Sequence, residues 1–578
     1  MSSPLPLEEL LRLTHLPGRA TEPVASLDGV SIRPSVVQDF RPLPQSLEWD
    51  LARLYWRQNG VDGFGRGEVP FLINNDGRAS EDAAATFFAL CRETGSSLPE
   101  PLTVLELGAG AALFARFFLD AFAAICRQEG APYYDKLMYV VTDGSRRTVE
   151  QWVERDIFGP HTGHFALAVA DALGATDVDW VLPVPHTAAP PRLDGLAAVF
   201  TNYLLDVLPA AVIRQADGGL EQLCVRTSLL DDPSAVAQYT RRSCEEIRRL
   251  AEDPEGRPEL LPLLPVLELE TRFEPLAEGT IPHVAEALEW GAGLGRVLLN
   301  YGALTAIDKW LGRLSPTGIM LICDYGPVRR EDVETQSALQ RFGGSTAHGL
   351  NWPLVEHHAE QRGIRALSAP DDDGRAIHTR LLASHPGPAM LEVFQNRFGK
   401  ATHDYRQAPV DRARAAVAAG RREEALECYK NALVTDARNW YLIGEAAEFV
   451  GTGLRDFAAG VDLARAALER NPWYSTWLWN VLGDCLFCME RFDDAHQAYV
   501  QASRIDPRDA RTQLNLAYTL AARGDQAQAL TAIACGLAQD QGLYRTRLLE
   551  KQQQILLASS ARWLAEQERL ARRNVRLG

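Results

Sequence analysis

An acidic residue and two spaced glycines, Glu106, Gly108 and Gly110, follow an apolar run and could form a nucleotide-binding crevice. The run Val104–Leu107 is typical of a strand that is buried on both faces of a parallel sheet. The two glycines allow a sharp turn and a close backbone approach that a Cβ would block. An amphipathic helix begins at Ala111. This order predicts a ligand crevice at the carboxyl end of a strand.

The motif is not the dinucleotide fingerprint, because G-x-G-x-x-G would require glycine at Leu113. A tight strand–helix turn of some other α/β protein is the alternative interpretation. Further polar residues end later apolar runs, and a carboxylate at such an end can accept hydrogen bonds from a sugar diol. They are Asp143, Asp171, Asn202, Asp206 and Asp324.

Strand-like runs alternate with helical patterns, which predicts an α/β fold with a Rossmann-like, mostly parallel sheet and helices on both faces. Two more strand candidates, around residues 364–367 and 376–382, would add an antiparallel hairpin at the edge. A large insertion at residues 203–317, helical in places, is expected to form a substrate cap. The glycine-rich stretch 60–78 could be a lid or an ordinary surface loop. The predicted strands lie at residues 104–107, 137–143, 165–172, 196–202 and 318–324.

Beyond Ser384 all the patterns are helical, and similar alanine-rich segments recur at about 35 residues, close to the period of tetratricopeptide repeats (TPRs). Pro472 and Pro507 would end the second helix of a repeat. Three to four repeats are predicted over residues 408–541, followed by a capping helix with a basic end.

Charge and composition indicate which binding partners, metal sites and locations are expected. The formal net charge of −17 over 578 residues argues against non-specific nucleic-acid binding. The nine cysteines are scattered, which indicates reduced thiols. Cys485 and Cys488 fit a helix core better than zinc, so no metal site is expected. Neither a membrane span nor a secretory signal is indicated, and a cytoplasmic location is the default expectation.

The segment Thr201–Pro209, T-N-Y-L-L-D-V-L-P, resembles the N-E-F-F-D-A-L-P signature of the MidA-like S-adenosylmethionine (SAM) methyltransferases. Asp324-Tyr325-Gly326 is similar to the D-Y-G of that family, and Thr346-Ala347-His348 is similar to its T-A-H. The order of these motifs after Glu106-x-Gly-x-Gly extends the resemblance over residues 45–385. The family includes a mitochondrial complex I assembly factor that methylates an arginine.

The resemblance implies a class I methyltransferase with SAM as its cofactor. Glu106, Gly108 and Gly110 would hold the amino-acid end of SAM, Asp143 its ribose and Asp171 its adenine edge. No metal is implied.

The same resemblance implies that Asn202 and Asp206 face the methyl acceptor, with Tyr325 and His348 lining the pocket or acting as a base. Asp206 could instead cap the following helix, and Tyr325 and His348 could be packing residues. Tyr203 stands where the family has glutamate, and Asn351 replaces an acidic position.

These observations predict an enzyme that methylates a nitrogen of a protein or peptide side chain, arginine being one candidate, with the TPR groove binding the substrate. The alternatives are a small-molecule O- or N-methyltransferase, or an inactive scaffold; a homodimer is one option. The predicted divisions are a lead-in at 1–100, the methyltransferase domain at 101–385 with its cap at 203–317, a linker at 386–407, TPRs at 408–541 and a capping helix at 542–578.

Overall fold

The computed structural model describes residues 36–65, 75–174, 178–182, 191–335, 339–372, 375–540 and 542–575. The chain divides into two compact units, and the boundary along the sequence lies between Asp404 and Tyr405. Residues 66–74 of the predicted lid lie outside the described residues, as does the start of the predicted lead-in. None of the described helices is both long enough and apolar enough to cross a membrane.

The first unit contains all the described strands. They are β1 (Val36–Pro42), β2 (Leu102–Leu107), β3 (Leu137–Asp143), β4 (Phe165–Val169), β5 (Asp179–Leu182), β6 (Leu196–Asn202), β7 (Ala211–Ala216), β8 (Gly219–Leu229), β9 (Leu267–Pro275), β10 (Val297–Leu299), β11 (Leu314–Asp324), β12 (Gln340–Phe342), β13 (Ser345–Ala347), β14 (Arg365–Ser368) and β15 (His378–Ala383).

Helices of the first unit separate these strands. They are α1 (Leu47–Asn59), α2 (Asp62–Gly65), α3 (Arg78–Thr94), α4 (Leu113–Glu129), α5 (Arg146–Glu154), α6 (Pro233–Tyr239), α7 (Cys244–Glu252), α8 (Val284–Trp290), α9 (Tyr301–Leu311), α10 (Arg330–Val333), α11 (Trp352–Gln361) and α12 (Pro388–Phe398).

An eight-stranded sheet in the order β14-β15-β11-β6-β2-β3-β4-β5 organises this unit. Its five central strands run parallel, from β11 to β4. β2 is buried along its whole length, as expected for a central parallel strand covered on both faces. β14 and β15 form the predicted antiparallel edge hairpin. The α/β fold-class prediction is therefore confirmed, and the strand order reverses at β2, beside the glycine turn.

Helix α4 covers one face of this sheet with aromatic side chains. Phe114, Phe118 and Phe122 are almost completely buried. Phe118 stacks with Phe122 at a centroid distance of 5.7 Å and contacts Phe200 of β6 at 5.2 Å. This contact anchors the helix that starts at the glycine turn and so fixes the position of the turn.

The insertion was predicted to be helical in places, and its strands were not predicted. It contains α6 and α7, but β8 is the centre of an antiparallel sheet that also contains β1, β7, β9 and β10. In β8 four half-buried residues precede a mostly buried stretch, so the alternation that reveals a strand is weak. The short polar stretches around β8 are equally typical of loops.

The second unit is helical throughout its described residues, which confirms the predicted all-α solenoid. Four antiparallel pairs begin with α13, α15, α17 and α19, and their second helices start at residues 422, 457, 492 and 526. Its helices are α13 (Lys400–Ala418, which starts in the first unit), α14 (Arg422–Thr435), α15 (Trp440–Glu448), α16 (Phe457–Arg470), α17 (Thr476–Cys488), α18 (Phe492–Ile505), α19 (Ala510–Ala522), α20 (Gln526–Gln539) and α21 (Arg545–Val575).

Small residues occupy the helix crossings of these pairs. Ala425, Ala495 and Ala529 are fully buried, so the helix backbones approach closely. Side chains of Asn439, Ser475 and Asp509 cap the first helices of successive repeats by accepting backbone amides.

The segment predicted as a linker contains helix α12. Backbone amides of Ala389 and Met390, at its start, each lie 3.2 Å from a carboxylate oxygen of Glu93 at the end of α3. Met390 and Phe394 are fully buried. Helix α12 therefore packs as part of the first unit.

Candidate functional site

The glycine turn after β2 brings two hydrophobic side chains against the backbone. Gly108 has a φ of 63° and Gly110 a φ of 51°, the left-handed region that favours glycine. A Cβ on Gly108 would lie 2.8 Å from Leu204 Cδ1, and one on Gly110 would lie 3.1 Å from the ring of Phe64. Both glycines are therefore required for chain conformation and for close approach.

Glu106 lies fully buried, two residues before Gly108. The Tyr139 hydroxyl donates to its carboxylate at 2.9 Å. Burial raises the pKa of Glu106 to about 8, and the hydrogen bond from Tyr139 only partly opposes this rise. The carboxyl is consequently protonated in most molecules at neutral pH, so it can donate a hydrogen bond as well as accept one.

Asp143, at the end of β3, connects two loops of the crevice. Its Oδ2 accepts the Gly110 amide at 3.1 Å, and its Oδ1 accepts the Ser145 amide at 2.8 Å. Burial raises the pKa of Asp143 to about 6 despite these two bonds. Each carboxylate oxygen has a second lone pair, so a diol could still bind there.

Asp171 lies exposed in the loop after β4, at the same edge of the sheet. Its Oδ1 accepts the Leu173 amide at 2.9 Å. The next carbonyl, that of Ala172, accepts the indole N–H of Trp310 at 3.1 Å. Asp171 thus stabilises the turn after β4, and the hydrogen bond from Trp310 connects this turn to α9.

Buried polar atoms without a hydrogen bond of normal geometry gather at the ends of β6 and β11. Among the described residues they include the Asn202 amide nitrogen and oxygen, Asp206 Oδ1 and the Tyr325 hydroxyl. The Asn202 amide is near enough to Glu106, and the Tyr325 hydroxyl to Asp206, to lower the pKa of each carboxyl against the larger effect of burial. Because buried polar groups are nearly always satisfied, this cluster indicates a site for a polar ligand.

Asp324 ends β11 and holds the turn that follows β6. Its Oδ2 accepts the amides of Leu205 and Asp206 at 3.1 and 3.2 Å, and its Oδ1 accepts the amide of Tyr325 at 2.9 Å. It is fully buried. Asp324 was part of the D-Y-G motif but was not predicted as a site residue; the motif was the available signal.

The two buried carboxyls of Asp206 and Asp324 titrate together. Burial raises the pKa of Asp206 to about 7. Burial and the charge of Asp206 both raise the pKa of Asp324 well above its ordinary value. The pair therefore keeps at least one proton at neutral pH while no cationic group is bound.

His348 lies fully buried beside this turn. Its ring stacks on Trp49 at 5.3 Å, with 4° between the planes. Its Nε2 lies 3.0 Å from the Leu208 carbonyl, so it carries the proton, and Nδ1 lies 3.1 Å from the Asn300 amide nitrogen. Burial lowers the pKa of His348 to about 4. These contacts fix a neutral ring in place.

Tyr203 has a positive φ of 51°, which is uncommon for a bulky residue. Its amide donates to the Cys323 carbonyl at 3.0 Å. This bond ties the end of β6 to β11 and carries the chain from Asn202 into the turn of Asp206. The family signature around residues 201–209 signalled this turn but not its conformation.

Residues 84–359 match a family model described as "Putative S-adenosyl-L-methionine-dependent methyltransferase". This segment is a SAM-dependent methyltransferase domain. The predicted enzyme class and the predicted cofactor, SAM, are confirmed. The methyltransferase domain contains every candidate site residue discussed above.

Several solved structures are similar to parts of the chain. A Burkholderia thailandensis protein bound to S-adenosyl-homocysteine is 13% identical, with a TM-score of 0.38; the match covers 61% of this chain and 90% of that one. The MamA protein is 16% identical over 28% of this chain and 88% of that one, with a TM-score of 0.25. A TPR protein from Thermus thermophilus is 18% identical over 27% and 82%, with a TM-score of 0.24. No curated protein matches the chain.

The geometry of the methyltransferase domain fits SAM at its glycine turn. The side chains of Leu204 and Phe64 lie where a Cβ on Gly108 or Gly110 would point, while Asn202 and Tyr325 have buried polar atoms without a hydrogen bond of normal geometry. Leu204 and Phe64 supply apolar surface beside the turn. The residues around the turn are therefore a mixture of apolar and polar side chains, the composition that small-molecule sites have.

Proposed function

We propose that the methyltransferase domain transfers a methyl group from SAM to a nitrogen of a protein or peptide side chain, with arginine as the preferred acceptor. The observation that best supports this proposal is the buried pair Asp206 and Asp324. It lies beside polar atoms of Asn202 and Tyr325 that have no hydrogen bond of normal geometry. Paired carboxyls suit a cationic, planar group with several N–H donors better than a neutral metabolite.

On the cofactor side, Glu106, Gly108 and Gly110 would hold the amino-acid end of SAM. Asp143 would accept the ribose hydroxyls, and Asp171 would receive the adenine edge. The bound cofactor supplies an electrophilic methyl group on a sulfonium, so the protein's main task is alignment, which can lower a barrier by about 7–11 kcal/mol.

On the acceptor side, Asp206 and Asn202 would orient the guanidinium. A bound cation favours the ionised carboxyl, so the pKa of Asp206 falls and its proton leaves as the substrate enters. Tyr325 would donate its hydroxyl hydrogen bond to the ionised Asp206. His348 would act as a positioning residue that supports the turn through the Leu208 carbonyl.

The repeats are proposed to bind the protein substrate or a partner. Their first helices carry a polar network in which Arg511 contacts Asp484 at 2.8 Å and Asn515 donates to Asp484 at 3.0 Å. The indole of Trp477 donates to Glu448 at 3.0 Å. Side chains of this kind, an aromatic ring amid charges of both signs, suit an extended peptide.

An inactive scaffold is the second candidate function. Two observations favour it: Leu204 and Phe64 lie against the glycine turn, and Tyr203 occupies the position of the family's glutamate. Calorimetric titration with SAM separates the two. Binding at micromolar concentration supports the enzyme, and an absence of heat supports the scaffold.

The full test of the proposal combines the whole chain with SAM and arginine-containing peptides or host proteins. A mass increase of one methylene per transferred methyl, located on arginine by fragmentation, is expected. Asp206→Asn should abolish the increase, whereas Asp217→Asn, in the exposed turn between β7 and β8, should keep it. Methylation of small molecules alone would contradict the proposed substrate class.

A further inference from the structure

Three potential metal ligands meet on the helical face of the methyltransferase domain, away from the D-Y-G turn in sequence. His283 precedes α8, Asp308 lies on α9 and His358 lies on α11. One ligand atom from each residue lies within 4.8 Å of the other two. Neither the spacing nor any motif signalled the cluster, because the residues are far apart in sequence.

His358 is the centre of this cluster, and its side chain is completely buried. Its Nδ1 lies 2.9 Å from Glu286 Oε1, and its Nε2 lies 3.0 Å from Asp308 Oδ1. A neutral imidazole carries one N–H, so it satisfies only one of two carboxylates. The carboxylate at the other nitrogen therefore needs a second positive centre, which can be a proton, the guanidinium of Arg362 or a metal ion.

We propose that His283, Asp308 and His358 bind a divalent transition-metal ion of the Zn²⁺ class. Imidazole nitrogens and a carboxylate oxygen are ordinary zinc ligands, and ligand atoms about 2.1 Å from a tetrahedral ion lie roughly 3.4 Å apart. His358 Nε2 and Asp308 Oδ1 already have nearly this separation. Water would complete the coordination.

Glu286 completes the arrangement from the outer side. Its carboxylate accepts Nδ1–H of His358, which directs the lone pair of Nε2 toward Asp308 and the metal. A carboxylate behind a metal-binding histidine fixes the tautomer and increases the basicity of the ligand. Glu286 also lies 3.6 Å from Nδ1 of His283, a charge contact rather than a hydrogen bond, and Nε2 of His283 lies 3.3 Å from the Thr305 hydroxyl.

Arg362 is the competing cation at this site. Its guanidinium pairs with Asp308 and lies 3.7 Å from Glu286. One third of its side chain is exposed, so it can leave Asp308 without losing a buried partner. With Arg362 present, the two carboxylates retain a net charge of about −1, which still attracts a dication.

Such an ion would hold the insertion to the sheet domain, because His283 and Asp308 belong to the insertion while His358 lies on α11, which packs on the sheet core. Its role is structural and is independent of the methyl acceptor. Loss of the site would therefore lower thermal stability without removing SAM binding.

The test is Co²⁺ titration of the tag-free full chain, followed by visible absorption, with Zn²⁺ competing for the Co²⁺. Wild type and His357→Ala, a neighbouring control on α11, are expected to bind one ion. His283→Ala and Asp308→Asn should lose the Co²⁺ spectrum, and Glu286→Gln should weaken binding about 10–100-fold. Circular dichroism without metal checks that each variant is folded.

Arg362→Ala provides the second arm, because removal of the competing cation should tighten Co²⁺ binding. Zn²⁺ should also raise the melting temperature of wild type but not that of Asp308→Asn. The proposed metal site is wrong if wild type binds no Co²⁺, or if binding survives both His283→Ala and Asp308→Asn. In that case a proton occupies the cluster.

Discussion

The carboxylate of Asp324 accepts the backbone amide of Asp206 at 3.2 Å, so the last residue of β11 holds the proposed acceptor-binding residue in the turn after the neighbouring strand β6. The same oxygen accepts the amide of Leu205. The positions of the two carboxyls are therefore set by backbone hydrogen bonds as well as by their mutual charge.

Asp324→Ala is predicted to destabilise the methyltransferase domain. The substitution removes the acceptor of three backbone amides, and a buried unsatisfied donor costs about 1–3 kcal/mol. Urea denaturation should show a lower free energy of unfolding than wild type. The exposed-turn substitution Asp217→Ala is the control and should leave it nearly unchanged; equal stability of Asp324→Ala and wild type would contradict this prediction.

Gly108→Ala is predicted to lower both stability and SAM affinity. The positive φ alone costs roughly 1–2 kcal/mol for a residue with a Cβ. The added Cβ also meets Leu204 at 2.8 Å. Gly130→Ala is a matched control, because Gly130 has a φ of 64° and nothing within 4 Å of its Cβ position. Calorimetry should therefore show weaker SAM binding for Gly108→Ala only.

Glu106 is predicted to make stability fall as pH rises. Its folded-state pKa of about 8 exceeds the ordinary 4.5, so the folded protein retains a proton that the unfolded chain has released. The contribution is complete below pH 4.5 and is lost progressively up to about pH 8. Denaturation at several pH values should show a shallower decline for Glu106→Gln; identical slopes would exclude Glu106 as the cause.

His348 is predicted to remain neutral until the solution is acidic. Burial lowers its pKa from 6.5 to about 4, so the unfolded chain takes up a proton first as pH falls. Its contribution to stability is therefore present above pH 6.5 and declines toward pH 4. NMR titration of the ring should locate its pKa near 4. A measured value near 6.5 would restore His348 as a candidate base.

The central sheet could be predicted because parallel strands buried on both faces appear as continuous apolar runs, as in Val104–Leu107. The glycine turn was recognisable because only glycine tolerates its φ values and close contacts. The repeats were visible because their period recurs along the chain. In each case, residues close in sequence carry the signal.

Other features depend on residues that are distant in sequence. Whether Asn202 and Tyr325 lack partners is decided by how two strands meet, and pattern alone contains no such information. The same holds for the neutral state of His348, which results from burial of the ring, in part against Trp49. The antiparallel sheet of the insertion was missed because β8 shows little alternation.

Helix α12 has a practical consequence for dividing the chain. A protein cut after residue 385 would leave the surface of α3 uncovered and Glu93 without its two amide donors. The truncated protein would therefore expose an apolar surface and aggregate. A fragment that ends at residue 404 keeps Met390 and Phe394 in place. Work on the isolated catalytic half should begin from the longer fragment.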